Sequence, residues 1–213
     1  MHCNILETVE KEKIIVIVRG VEKEKILPLA EAMYSGGIRL LEITYGRGNA
    51  ETAENIKMLK KHFCEAMYIG AGTVLTEEQT ELTKAAGGEF IISPDTVPSV
   101  IKKTKELGMV SMPGAYTPSE IQLAHTSGAD FVKIFPAVSL GPEYIKAVKA
   151  PLSHIKLLAV GGIDENNIKS YLKAGACGFG IGSNIVDKKL IDNNDFKGIT
   201  ELAKRYVSAV QGD

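Results

Sequence analysis

Residues 155–184 run IKLLAVGGIDENNIKSYLKAGACGFGIGSN, a segment with two strand-like runs flanking one helical run. Residues 155–160 form a short apolar run with strand character. Asp164, standing before Glu165 and Asn166, is a helix start signal, residues 165–174 keep helical spacing, and Gly175 closes the segment. A second apolar run follows at 178–182. A strand, a helix and a second strand joined by short connections make a β-α-β unit with its strands parallel.

The same unit repeats toward the N-terminus. Strand-like runs occupy 14–20, 39–45, 68–74, 90–93, 109–114 and 131–135, and helical spacing marks 25–35, 49–62, 77–86, 97–107 and 118–126. Thr76 before Glu77-Glu78 and Thr117 before Pro118 are further start signals, and Gly36-Gly37, Gly87-Gly88, Gly108 and Gly128 are closing ones. Eight such units predict an α/β fold of the (β/α)8 TIM-barrel class, one domain over residues 1–213 with a short N-terminal helical segment. An open doubly wound sheet is the alternative, but no Gly-x-Gly-x-x-Gly follows the first strand.

Composition narrows the function classes. A net charge of −1 argues against nonspecific nucleic-acid binding, and 45% hydrophobic residues suffice for a large core. No apolar stretch approaches the length of a membrane span, and the opening residues lack the basic start and apolar centre of a signal peptide. Cys3, Cys64 and Cys177 are odd in number and far apart, which excludes a disulfide framework and points to a reducing, cytoplasmic setting. The dispersed His2, His62, His125 and His154 offer no metal-ligand spacing, so neither metal nor cofactor is expected.

The chemistry centres on Lys133, within Phe131-Val132-Lys133-Ile134-Phe135-Pro136-Ala137. An ammonium in a buried strand must be paired or lose its proton, and a lysine deprotonated by desolvation attacks carbonyl carbon to form a Schiff base. The bland alternative is a lysine that snorkels to water or pairs with a buried acid. Strand alternation turns Val132 and Ile134 toward the helices and Lys133 inward with Phe131 and Phe135. In the second strand it turns Leu41 and Ile43 outward and Leu40, Glu42 and Thr44 inward, so Glu42 and Lys133 can meet inside one barrel. Both lie toward the strand ends where barrel chemistry occurs.

The last two strands run into Val160-Gly161-Gly162-Ile163 and Gly182-Ser183-Asn184, where (β/α)8 barrels commonly bind phosphate. Backbone amides of Gly161, Gly162 and Gly182, with the Ser183 hydroxyl at a helix start, make a candidate cradle; tight turns are the alternative reading. No lysine or arginine lies in either loop, so amides and a helix dipole would meet the charge. Arg19, one of four arginines, ends the first strand and suits a carboxylate. Thr73 and Pro94 also stand at strand ends.

These residues together resemble the 2-keto-3-deoxy-6-phosphogluconate (KDPG) aldolase and 4-hydroxy-2-oxoglutarate aldolase family. The resemblance runs from about Ile14 to Val207. It is carried by Val16-Ile17-Val18-Arg19, Leu41-Glu42-Ile43-Thr44, Gly70-Ala71-Gly72-Thr73-Val74-Leu75, Ile92-Ser93-Pro94, Met112-Pro113-Gly114, Val132-Lys133-Ile134-Phe135-Pro136-Ala137 and Gly161-Gly162-Ile163. It implies a class I carbon–carbon lyase that cleaves a phosphorylated 2-keto-3-deoxy sugar acid to pyruvate and glyceraldehyde 3-phosphate, acting also on 4-hydroxy-2-oxoglutarate. It implies Lys133 as the Schiff-base lysine and Glu42 as the proton-transfer carboxylate. Thr73, Pro94 and Phe135 would line the pyruvate pocket, Gly161, Gly162, Gly182 and Ser183 would hold phosphate, and the assembly would be a homotrimer. Many members carry an arginine four residues after the glutamate. Here Gly46 occupies that place and Arg47 follows, so either a bulge at Gly46 and Gly48 lets Arg47 reach the carboxylate or Arg19 alone anchors it. A sugar-phosphate epimerase or isomerase on the same barrel, and a noncatalytic sugar-phosphate sensor, are the competing readings.

Overall fold

A computed structural model of the chain describes residues 2–46 and 49–211. Helix α1 (His2–Glu12) precedes β1 (Ile14–Val18), α2 (Lys23–Ser35), β2 (Leu40–Thr44), α3 (Asn49–Phe63), β3 (Tyr68–Gly72), α4 (Glu77–Ala85), β4 (Phe90–Ile92) and α5 (Pro98–Glu106). Then come β5 (Val110–Met112), β6 (Gly114–Ala115), α6 (Pro118–Thr126), β7 (Val132–Ile134), a 3-10 turn (Ala137–Ser139) and α7 (Gly141–Lys149). The chain continues through β8 (Leu157–Val160), α8 (Ile168–Lys173), β9 (Gly178–Ile181), α9 (Lys188–Asp192) and α10 (Phe196–Gln211).

All strand pairings are parallel, in the order β5-β4-β3-β2-β1-β9-β8-β7-β6. The two ends of that order, β5 and β6, are consecutive pieces of one strand broken at Pro113. Proline has no N–H to donate, so the ladder is interrupted there. The seam still closes: Lys133 N donates to Pro113 O at 2.8 Å and Asp130 N to Ser111 O at 3.0 Å. The result is the expected barrel of eight strands, with the fifth in two pieces.

Alternation sorts the side chains into two cores. Val16, Leu41, Ile43, Ile69, Val132, Ile134 and Leu157 face the helices. Ile15, Leu40, Phe90, Met112, Phe131, Leu158 and Val160 fill the interior. Ile5 and Val9 of α1 join this inner group, so the N-terminal helix plugs one end of the barrel. Thr76 caps α4 by accepting from Gln79 N, and Thr117 forms a reciprocal capping box with Glu120 on α6. Asp164 behaves differently. Its Oδ1 accepts from Asn166 N and Asn167 N and builds a turn, and α8 begins only at Ile168. No described helix is long and apolar enough to cross a membrane.

Candidate active site

β2 and β7 lie four places apart in the strand order, on opposite walls of the barrel. Glu42 stands opposite Ile17 of β1 and Gly70 of β3, and Lys133 opposite Gly114 and Leu158. The neighbours of each along its own strand pack outward, so both point inward, at 2% and 7% exposure. They line one cleft of about 650 Å³. A side chain at Gly72 would overlap the Glu42 carboxylate, so this glycine makes room for it.

Burial governs both charges. Desolvation pushes the Glu42 carboxyl up to about 7, with the Lys133 and Arg19 charges pulling back. Desolvation lowers the Lys133 ammonium; the Glu42 charge opposes this, Arg19 reinforces it, and Asp95 opposes it. Among the described residues Glu42 Oε2 has no hydrogen-bond partner. A buried acceptor left open in this way suits a proton that arrives with a ligand. Lys133 Nζ lies 4.7 Å from the centroid of the Phe135 ring.

The rest of the wall follows from strand ends. Arg19, after β1, donates from Nη2 to Thr73 Oγ1 at 2.7 Å. Thr73 holds φ at +58°, a left-handed conformation costly for a β-branched residue and typical of functional sites. Pro94 and Phe135 complete this part of the lining.

The loop after β8 turns on Gly161 (φ +93°) and Gly162 (φ +76°). A Cβ at Gly162 would stand 2.5 Å from Val138 Cβ, so only glycine fits. Three successive carbonyls of the loop are taken by protein donors: Gly161 O by Val138 N at 3.0 Å, Gly162 O by Asn167 Nδ2 at 2.7 Å and Ile163 O by Asn184 Nδ2 at 2.8 Å. With its acceptors occupied, the loop has amide donors to offer a ligand. After β9 the chain makes one turn, closed by Ile185 N and Val186 N on Gly182 O. Ser183 therefore sits in an isolated turn, and the next helix, α9, starts five residues later. The expected helix dipole behind Ser183 is not there: the helix starts only after Asp187, which caps it by accepting from Leu190 N.

Ten of the expected residues line this single cleft: Glu42, Lys133, Arg19, Thr73, Pro94, Phe135, Gly161, Gly162, Gly182 and Ser183. Arg47 lies outside the described residues. The sequence reading missed Asn184, which ties the two glycine loops together, and Lys188, which brings a cation to the lining. The Asp187-Lys188 pair is a helix-start signal, and it could have drawn attention to that segment.

Known proteins resemble this chain over nearly its whole length. A family model described as KDPG and KHG aldolase matches residues 5–202. The 2-dehydro-3-deoxy-phosphogluconate aldolase of Haemophilus influenzae is 34% identical over 211 residues, 97% of each chain. The 2-dehydro-3-deoxy-6-phosphogalactonate aldolase of Escherichia coli is 33% identical over 202 residues, 94% of this chain and 98% of its own. The KDPG aldolase of Legionella pneumophila, solved with pyruvate captured as a covalent carbinolamine, superposes with a TM-score of 0.85 at 31% identity, covering 93% of this chain and 96% of its own.

Proposed function

The chain belongs to the KDPG and KHG aldolase family, and on that premise we propose that it is a Schiff-base aldolase for phosphorylated 2-keto-3-deoxy sugar acids. One observation carries the reading: Lys133 and Glu42, both buried, line one cleft from opposite barrel walls, and burial there drives the lysine toward its neutral form and the carboxyl up to about 7. Neutral Lys133 attacks the C2 ketone, and loss of water gives a protonated imine that serves as the electron sink. Glu42 takes the proton of the C4 hydroxyl, directly or through one water, as the C3–C4 bond breaks toward the imine. Glyceraldehyde 3-phosphate leaves. The enamine remaining on Lys133 is protonated at C3, and hydrolysis of the imine releases pyruvate and restores the lysine.

Around that chemistry Arg19 holds the carboxylate, Thr73, Pro94 and Phe135 shape the pyruvate pocket, and Gly161, Gly162, Gly182 and Ser183 take the phosphate. Relatives named for the gluconate and the galactonate acid stand at 34% and 33% identity, so both C4 epimers are candidate substrates. 4-Hydroxy-2-oxoglutarate, which uses the same pyruvate half, is a third. Assembly as a homotrimer belongs to this reading, and sedimentation would test it.

The deciding experiment is borohydride reduction in the presence of pyruvate, followed by intact-mass analysis and peptide mapping. A stable adduct on Lys133, lost together with lyase activity in Lys133→Ala, is the expected result. A folded protein that binds sugar phosphate yet forms no adduct would instead support the epimerase or sensor reading.

A further inference from the structure

Three cationic side chains among the described residues line the cleft: Arg19, Lys133 and Lys188. Two are committed to one region. Arg19 is turned toward β3 by its bond to Thr73, and Lys133 faces Glu42. Lys188 belongs to the part of the lining that follows β9, with Ser183, Asn184 and Val186, and it also borders a smaller hollow that it shares with Arg19, Val21 and Lys25. Its amine is held by Asp192, one turn along α9, at 2.9 and 3.1 Å.

The segment that carries Lys188 is fixed at both ends. Asp187 caps α9 at its start, and Lys25 Nζ takes the carbonyls of Ile191 and Asp192 at 3.0 and 3.2 Å at its end. The backbone is therefore anchored, while the lysine side chain beyond it is 85% exposed. Its hold on Asp192 is an exposed pair four residues apart, an interaction of little strength that a stronger anion readily displaces.

A phosphorylated keto acid brings a carboxylate at one end and a nearly doubly charged phosphoryl group at the other. The glycine loops supply amides but no formal charge. We propose that Lys188 swings from Asp192 onto the phosphoryl group and sets the preference of this enzyme for phosphorylated over unphosphorylated keto acids. The inference rests on the aldolase reading and deepens it: amides would fix where the phosphoryl group sits, and the lysine would add the charge-assisted bond that an uncharged end cannot accept.

The test compares the wild type with Lys188→Met and Lys188→Arg on a 2-keto-3-deoxy-6-phospho sugar acid and on the same acid without its phosphate. In the methionine variant the ratio of kcat/KM for the two substrates is expected to fall about tenfold, the scale of one hydrogen bond to a charged group. The loss should appear in KM for the phosphorylated substrate, and arginine should restore most of the ratio. Glycerol 3-phosphate, titrated calorimetrically, should bind the methionine variant more weakly by a similar factor. An unchanged ratio, or an equal loss on both substrates, overturns the role of Lys188. A wild type without lyase activity or a pyruvate adduct overturns the aldolase reading instead, and the calorimetric comparison, which needs no turnover, still decides whether Lys188 recognises phosphate.

Discussion

Glu42 and Lys133 are each pushed toward the protonation state opposite to the one a free side chain holds at neutral pH, and burial is the leading cause for both. A carboxyl near 7 is matched to proton transfer under neutral conditions, whereas one at its ordinary value would be a weaker base. Glu42 must be ionised to accept the C4 hydroxyl proton, so kcat/KM for cleavage is expected to fall as pH drops through about 7. Steady-state rates across that range check this, and a flat profile would remove Glu42 from the role. Glu42→Gln should lower kcat by about 10²–10⁴-fold while the pyruvate adduct on Lys133 still forms, because imine formation at the lysine and proton transfer at C4 are separate duties. At this scale Lys133 was legible because a lysine between Val132 and Ile134 interrupts a buried strand. Lys188 was not, since a lysine on a polar segment carries no mark of what its backbone faces.

Start signals at the level of elements succeeded where the side chain bonds locally. Thr76 and Thr117 cap α4 and α6 through neighbours three residues on, so the sequence window contains the whole interaction. Asp164 has the same look, but its bonds make a turn and the helix starts later. The break in the fifth strand could be placed at Pro113 by the missing N–H; that the two pieces pair with different neighbours is a property of the closed sheet. The role of α1 was likewise hidden. Its pattern shows an amphipathic helix, and only the barrel shows that Ile5 and Val9 seal the interior. Ile5→Ala should cost about 2–4 kcal/mol of stability, measured by urea denaturation. The pyruvate adduct of the folded protein should persist, because α1 covers the end away from the cleft. A loss much below that range would mean that α1 is not a structural plug.

At the scale of the whole molecule, holding Glu42 in the interior has a consequence for folding. Its carboxyl titrates at about 7 in the folded chain against an ordinary value of 4.5. Between those values the folded chain keeps a proton that the unfolded chain has released. This group's contribution to stability is therefore full below the unfolded value, is lost as pH rises through the folded one, and is constant above it. Replacing it by Gln removes the slope. Urea denaturation should show Glu42→Gln gaining on the wild type as pH rises through that window, by about 3 kcal/mol in total. A difference independent of pH would refute the buried-acid account. The barrel, the inward turn of Glu42 and Lys133 and the glycine loops were legible from the residues alone. Strand alternation, turn chemistry and the desolvation of charge are local properties, readable within a few residues. The meeting of β2 and β7 across the barrel and the closing of the cylinder by β5 and β6 appear only in the folded chain. So do the lone turn at Ser183 and the approach of Lys188 to the lining. Those facts depend on the closure of the sheet and on bonds such as Asn184 to Ile163 and Lys25 to α9, whose partners are distant in the chain.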